Sequence, residues 1–387
     1  MSEAVIVAVA RTPIGRANKG SLVDVDAFAL ARTVVTAAVE RSGVPVGDID
    51  DLVLAESLQG GGVIGRYVAV EAGLEHVPGL ADNRHCAAGL SAVQIAAGSI
   101  RAGMDKAVIA GGTESLSSMP QVLKSTPASA REYKRWMSLS HPPTPQAPAT
   151  DMALTVGENA ARLAGVTREQ ADEWAMHSHL RAAASVAEGR FTDEIVPVTL
   201  PDGSLFTTDE HPRADTTMER LASLPVLHPE IEGAVVTAGN SAGLNDAAAA
   251  VVVVSGDYAR THGLTPLARV VSWASVGVAP ERTGLAPTLA IPKAVERGGL
   301  KVSDIELFEI NEAFATMAVA SSRELGLDHG IVNVNGSGCG LGHPIAATGA
   351  RMVVTMIGEL HRRGASLGCV SMCAGGGMGS ALVLEAL

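Results

Sequence analysis

ADNRHCAAGLSAVQIAAGSIRAGM at 81–104 and IVNVNGSGCGLGHPIAATGARMVVTMI at 331–357 decide how this chain folds. Each runs from a short lead through a turn of small residues into a helical stretch, with Cys86 on the first turn and His343 on the second. Their flanks repeat in the same order. GVPVGDIDDLVLAES at 43–57 resembles GLKVSDIELFEINEA at 299–313, and KAVIAGG at 106–112 parallels GCVSMCAGGG at 368–377. Self-similarity at a nearly constant offset is the mark of a duplicated unit.

Each copy alternates strand and helix. Asp26 to Ser42 predicts a helix, with Phe28, Ala31, Val35, Ala38 and Val39 as its apolar stripe and Gly43 as its stop. AVIVAVA, KAVIAG and IVNVN are short and apolar, as expected of strands buried on both faces. The expectation is an α/β fold with a mainly parallel sheet. The copies differ after the GG motif. In the second, GGGMG runs straight into SALVLEAL. In the first, the matching strand AAAAVVVV at 247–254 comes only after a long insert, which holds the Pro-rich HPPTPQAPATDM and a capping box from Thr167 to Gln170. This division gives an N-terminal domain from 1–118 plus 246–265, an inserted loop domain at 119–245, and a C-terminal domain at 266–387. Long inserts on a rigid scaffold commonly cover a site or build an interface.

Composition bounds the function. Of 387 residues, 47% are hydrophobic and 18% charged, an ordered globular balance. A net charge of −12 disfavours nucleic acid as the partner. The start, MSEAVIVAVARTPIG, lacks a basic n-region and does not read as a signal peptide, and AAAAVVVV is too short to span a bilayer. Four cysteines without CxxC spacing point to a reducing, cytoplasmic setting and to no metal site. GGGVIG at 60–65 fits GxGxxG but follows the wrong strand for a dinucleotide site, so it reads as a loop with Arg66 opening the next helix. His177 and His179, two apart on a helix, point to different faces.

Three positions carry candidate chemistry. Cys86 follows the polar Asn83-Arg84-His85 and precedes a helix start. It is either a small core residue or a nucleophile whose thiol the helix N-terminus acidifies. His343, between Gly342 and Pro344, is either a capping residue or a base brought opposite Cys86 by the duplication. Cys373, before three glycines, is either structural or a second reactive thiol acting as acid and base. Asn311, where IELFEI ends, reads as an N-cap whose amide could also hold a water. Cys339 and Cys369 read as packing residues.

NRHCAAGLSA, GGTES, TAGNSAGLNDAAA, NEAFA, NVNGSGCGLGHPIAATGAR and CAGGGMG, in this order, resemble the motifs of the thiolases, and the likeness runs from Ala4 to Leu387. The resemblance implies the thiolase-like duplicated α/β/α/β/α layered fold, acyl-CoA and CoA as substrates, no further cofactor, and a homodimer or homotetramer in acyl metabolism such as β-oxidation. It implies Cys86 as acyl-carrying nucleophile, His343 as its activator, and Cys373 as proton donor and acceptor. One oxyanion hole would comprise the N–H groups of Cys86 and Gly375. The other would comprise His343 and a water on Asn311.

For the CoA chain the resemblance points to Arg213, more weakly to Arg220, and to a pocket wall of Met152, Leu227, Ser241, Ala242, Ala313 and Phe314. Ala242 stands where many relatives carry serine, Leu227 where an aromatic is common, and Thr150-Asp151-Met152-Ala153 where short-chain enzymes have a His-Met pair. These departures leave room for a longer or branched acyl chain. Alternatives are an acetoacetyl-CoA-specific biosynthetic enzyme, a condensing enzyme acting on a carrier protein, and a thiolase-fold acyl-CoA binder with little turnover.

Overall fold

The computed structural model describes residues 3–59, 61–126 and 129–387. Gly60, the first glycine of GGGVIG, lies outside them. In chain order the first part holds β1 (Ala4–Arg11), β2 (Gly15–Arg16), α1 (Ala27–Ser42), β3 (Asp51–Ala55), α2 (Ile64–Glu71), β4 (Leu80–Asp82), α3 (Ala88–Ala102) and β5 (Ala107–Ser115). The stretch 119–245 contributes β6 (Val122–Thr126), β7 (Ser129–Trp136), α4 (Asn159–Ala164), α5 (Arg168–Ala187), β8 (Val198–Thr199), β9 (Leu205–Phe206) and α6 (Met218–Ala222). After it come β10 (Asn245–Ser255), α7 (Gly256–His262), β11 (Ala268–Gly277), α8 (Pro287–Arg297), β12 (Leu307–Ile310), α9 (Ala315–Glu324), α10 (Gly338–Leu341), α11 (Ile345–Arg363), β13 (Leu367–Ala374) and β14 (Met378–Ala386).

The duplication is written in the sheet. Strands run β12-β13-β14-β11-β1-β10-β5-β3-β4. Read outward from the β11–β1 junction, the orders β11-β14-β13-β12 and β1-β10-β5-β3 are the same topology. In each, the two inner pairings are antiparallel and the outermost is parallel. In the sheet the halves join through Val5 and Ile6 against Arg269 and Ala268. Helices α3 and α11, one from each copy, pack on each other between the two half-sheets. Helix α1 covers the outer face of the first half, and α8 that of the second. The result is five layers, helix and sheet alternating.

The expectation of a mainly parallel sheet does not hold, because most pairings are antiparallel. The all-apolar strands misled. A continuous apolar run reports that both faces are covered, and here helices cover antiparallel strands as fully as parallel ones. Every residue of β10 from Asn245 to Val254 is buried. IVNVN is not a strand either. Asn333 takes a left-handed φ of 49°, and its side-chain amide accepts from Ile310 N and donates to Ile310 O, both at 2.8 Å. One side chain thus replaces a ladder step, in the place that β4 occupies in the first copy.

The predicted helix at 26–42 appears as α1: the Asp26 side chain accepts from Ala29 N, and Gly43 closes it at φ 66°. The Thr167–Gln170 capping box opens α5. Helix α2 begins at Ile64, two residues before Arg66. Asn311 is not an N-cap. Its N–H donates to Ser371 O at 2.9 Å, continuing the sheet, and α9 starts only at Ala315, whose N–H is taken by Asn240 O. Among the described residues no helix is long and apolar enough to cross a membrane.

Candidate active site

Helices α3 and α11 cross where each has a glycine. A Cβ on Gly89 would overlap the Ala346 carbonyl, and one on Gly349 would overlap the Leu90 backbone nitrogen. That close approach sets the turn before α3, with Cys86, against the turn before α11, with His343. The glycine turn after β13 closes the site: the Gly375 N–H donates toward the Cys86 sulfur, and Cys373 lies within electrostatic reach of it. The Cys373 thiol is 3.4 Å from Met317 Sδ and 1% exposed.

His343 is held from three sides. Its N–H donates to Asn245 Oδ1 at 3.0 Å, Asn245 also packs under Gly342, and Nδ1 lies 2.7 Å from Thr348 Oγ1. The single Thr348 hydroxyl proton goes to Pro344 O at 3.0 Å. Thr348 Oγ1 therefore accepts from Nδ1–H, which leaves a lone pair on Nε2. Nε2 is buried with no partner among the described residues, and so are both amide atoms of Asn311. Asn311 Oδ1 lies beside Gly338 at the start of α10, the helix that leads into His343. Buried groups of this kind are exceptions that call for a ligand or an ordered water.

The electrostatics correct one expectation. Helix α3 does not acidify Cys86; burial pushes the thiol up to about 11, outweighing the donation from Gly375. Burial drives Cys373 well above the ordinary thiol range, with the Cys86 charge adding to the effect. His343 is pulled down to about 4 by burial and the Arg351 charge. At neutral pH the Cys86 thiol and the His343 imidazole are therefore both uncharged.

The remaining expected residues divide. Met152 packs over Gly375, its Sδ 3.5 Å from where a Cβ would stand. Ala242 N donates to Ala313 O at 3.0 Å, Ser241 bridges to Phe314, and Phe314 packs on Gly157, so these four form one strip next to Asn311. Leu227 is 46% exposed, and its N–H donates to the Val236 carbonyl. Arg213 is exposed, and its charge acts on the stacked His179 and His211. Arg220 on α6 is exposed and ion-paired with Asp215. His177 turns instead to His329. Cys339 and Cys369 are fully buried.

Four supporting residues escaped the sequence reading: Asn245, Thr348, Glu114 and Glu312. Glu114 accepts from Ala346 N at the mouth of α11 and from Leu58 N. Glu312 gathers Trp174, Ser178, Asn333 and the Cys339 N–H. Burial raises both acids, and a ring of donors pulls the other way. The signal was an acid inside a motif of small or apolar residues, GGTES and NEAFA, where solvent exposure is not expected.

The comparisons agree with this architecture. The model of the thiolase N-terminal domain matches residues 4–257, and that of the thiolase C-terminal domain matches 264–386. The chain is 41% identical to an acetyl-CoA acetyltransferase of Escherichia coli (strain K12) and 40% identical to a 3-ketoacyl-CoA thiolase of Bacillus subtilis (strain 168), with 100% of each chain covered in both cases. A crystal structure of human mitochondrial 3-ketoacyl-CoA thiolase in complex with CoA superposes with a TM-score of 0.91 at 33% identity, covering 100% of this chain and 98% of that one. The chain belongs to the thiolase family of CoA-dependent acyltransferases.

Proposed function

We propose that Cys86 carries the acyl group in the transfer between 3-ketoacyl-CoA and CoA, with His343, Cys373 and Asn311 serving it. The observation that carries this reading is the aim of the Gly375 N–H at the Cys86 sulfur, with a second thiol in reach and two buried polar side chains left unpartnered nearby.

In the cleavage direction the Cys86 sulfur adds to the 3-keto carbon while its proton passes to His343 Nε2. The oxyanion is held by the N–H groups of Cys86 and Gly375. As the carbonyl reforms, the bond between C2 and C3 breaks and its electron pair becomes the enolate of acetyl-CoA. His343 Nε2–H and a water on the Asn311 amide stabilise that oxygen, and Cys373 gives its proton to the carbon. A fresh CoA thiol then loses its proton to the Cys373 thiolate and adds to acyl-Cys86. Cys86 leaves as thiolate and regains the proton from His343. Condensation is the same path reversed. With both thiols raised and His343 lowered, the free site keeps its protons on sulfur until substrate arrives.

The strip of Met152, Ser241, Ala242, Ala313 and Phe314 would guide the pantetheine arm, with Leu227 at its outer end. Arg213, and less directly Arg220, would meet the nucleotide end. The segment 119–245 acts in this reading as the inserted loop domain of a two-domain core, and the enzyme works in the cytoplasm as a homodimer or homotetramer. In support of an assembly, β4 is the open edge of the sheet, with Leu80 43% exposed, and Tyr67 and Val70 on α2 are exposed beside it. An open, apolar edge invites pairing. Thiolysis is tested by mixing the protein with acetoacetyl-CoA and longer 3-ketoacyl-CoAs plus free CoA, following loss of the enolate absorbance. Turnover at any length supports the reading, and none at every length refutes it.

A further inference from the structure

Helix α11 carries His343 at its mouth but has no side-chain cap of its own, because Pro344 stands in the cap position. The first turn of a helix leaves N–H groups that need an acceptor from elsewhere. Here the acceptor comes from the other half of the molecule. Glu114 lies near the end of β5, and its Oε2 accepts from Ala346 N at 3.1 Å, in the first turn of α11. Its Oε1 accepts from Leu58 N at 3.1 Å and from Gln59 Nε2 at 2.9 Å, on the loop that follows β3. One fully buried side chain thus ties β5, the 58–59 loop and α11 at a single point. Each of these partners is an N–H donor, so the group is held as a carboxylate. Burial works against that charge and the Glu56 carboxylate adds to the effect, while the donors oppose both. The packing brings Glu114 to Cys86. A Cβ on Gly89 of α3 would come within 2.4 Å of the Ala346 carbonyl oxygen, and one on Gly112 of β5 within 2.1 Å. The residue that Glu114 caps is therefore pressed between its own strand and the helix that Cys86 leads into. Across that contact the Glu114 charge acts on the Cys86 sulfur, alongside the N–H groups of Gly375 and Cys86 and the Cys373 thiol.

Resting on the assignment of Cys86 and His343 to the reaction, we propose that Glu114 is a positioning residue: it caps α11 from the opposite half and so sets the His343 turn against the Cys86 turn. Its charge has a second consequence of fixed sign. An anion beside a thiol disfavours the thiolate, so Glu114 also restrains Cys86 until substrate arrives. No close substitute does both. Glutamine has one acceptor for donors that stand on two oxygens, so one side of the tie is lost along with the charge. Aspartate keeps the charge but is one methylene too short to span the same donors.

The test compares Glu114→Gln with Glu114→Asp, each verified by thermal melting. In both, kcat for thiolysis of acetoacetyl-CoA falls about ten- to hundredfold, the cost of a small misplacement of a reacting group. KM for CoA changes little, since Glu114 has no exposed surface to offer it. Alkylation of Cys86 by iodoacetamide, mapped by mass spectrometry across a range of pH, then separates charge from position. The thiolate fraction rises tenfold for each unit by which the thiol falls, so near neutral pH the Glu114→Gln variant is alkylated about three- to tenfold faster than the parent. Glu114→Asp keeps the anion and follows the parent profile. A residue that only held the fold together would slow turnover without this split. Turnover at the parent rate in Glu114→Gln overturns the inference, and so does an equal alkylation profile in the two variants. Absence of thiolysis in the parent overturns the catalytic reading instead. The alkylation comparison needs no turnover and in that event still decides the matter: the split supports the hold of Glu114 on Cys86, and equal profiles refute it.

Discussion

Replacing Thr348 with valine tests how the imidazole is set. The Thr348 hydroxyl gives its proton to Pro344 O and accepts from Nδ1–H of His343, which directs the Nε2 lone pair into the site. Valine keeps the shape and removes the acceptor. Because His343 is only 7% exposed, an unpaired Nδ1–H costs about 1–3 kcal/mol. The ring escapes that cost by moving its proton to Nε2, where it can no longer accept from Cys86. Either way, about 1.4–2.8 kcal/mol is lost from the barrier-lowering pair, a fall of roughly ten- to hundredfold in kcat. KM for CoA should change little, since the substitution removes no group that faces CoA. Thiolysis of acetoacetyl-CoA, with thermal melting to verify the fold, reads this directly. Thr348→Ser returns the hydroxyl and should recover activity to within about threefold. A valine variant that turns over at the parent rate, or a serine variant equally impaired, would refute the tautomer argument.

Other outcomes follow from neighbouring groups. Cys373→Ala should lose proton transfer to carbon, so exchange of the acetyl-CoA α-hydrogens in deuterated water stops, while acylation of Cys86 by acetyl-CoA persists; exchange at the parent rate would remove Cys373 from its role. Gly349→Ala forces a Cβ onto the Leu90 backbone at the α3–α11 crossing. It should cost about 1–3 kcal/mol of stability in denaturant titration, and an unchanged midpoint would contradict the close approach. Asp82 rises from 3.8 to about 7 by burial, so the folded state binds this proton more tightly than the unfolded chain. Its contribution is fully present below about pH 4 and is lost as pH rises toward 7. Asp82→Asn should therefore gain melting temperature relative to the parent across that window and hold the gain at pH 8; a pH-independent difference would exclude the shift.

Much of the fold was legible because the chain repeats itself. Matching 43–57 to 299–313 and Cys86 to His343 predicted that two turns would meet, and α3 and α11 do cross there. The helix at 26–42 and the capping box at Thr167 were visible because their signals are local. Strand direction was not, since an apolar run is the same read either way. Nor was the IVNVN segment, where one asparagine side chain does the work of a strand step. At the site, the proposed reactive residues stand out by type and turn, whereas Asn245, Glu114 and Glu312 are defined by partners distant in the chain, and Thr348 by a contact with His343 that only the folded turn makes. The Cys86 thiol shows the same limit: a helix start suggested acidification, but enclosure by both halves of the molecule outweighs it.

The central claim is that the acyl group travels on Cys86. Incubating the protein with acetyl-CoA without an acceptor, quenching in acid and mapping peptides by mass spectrometry should find one acetyl group on the peptide bearing Cys86, removed by added CoA. An acetyl group on Cys373 instead, or transfer that proceeds in Cys86→Ala, would contradict the account.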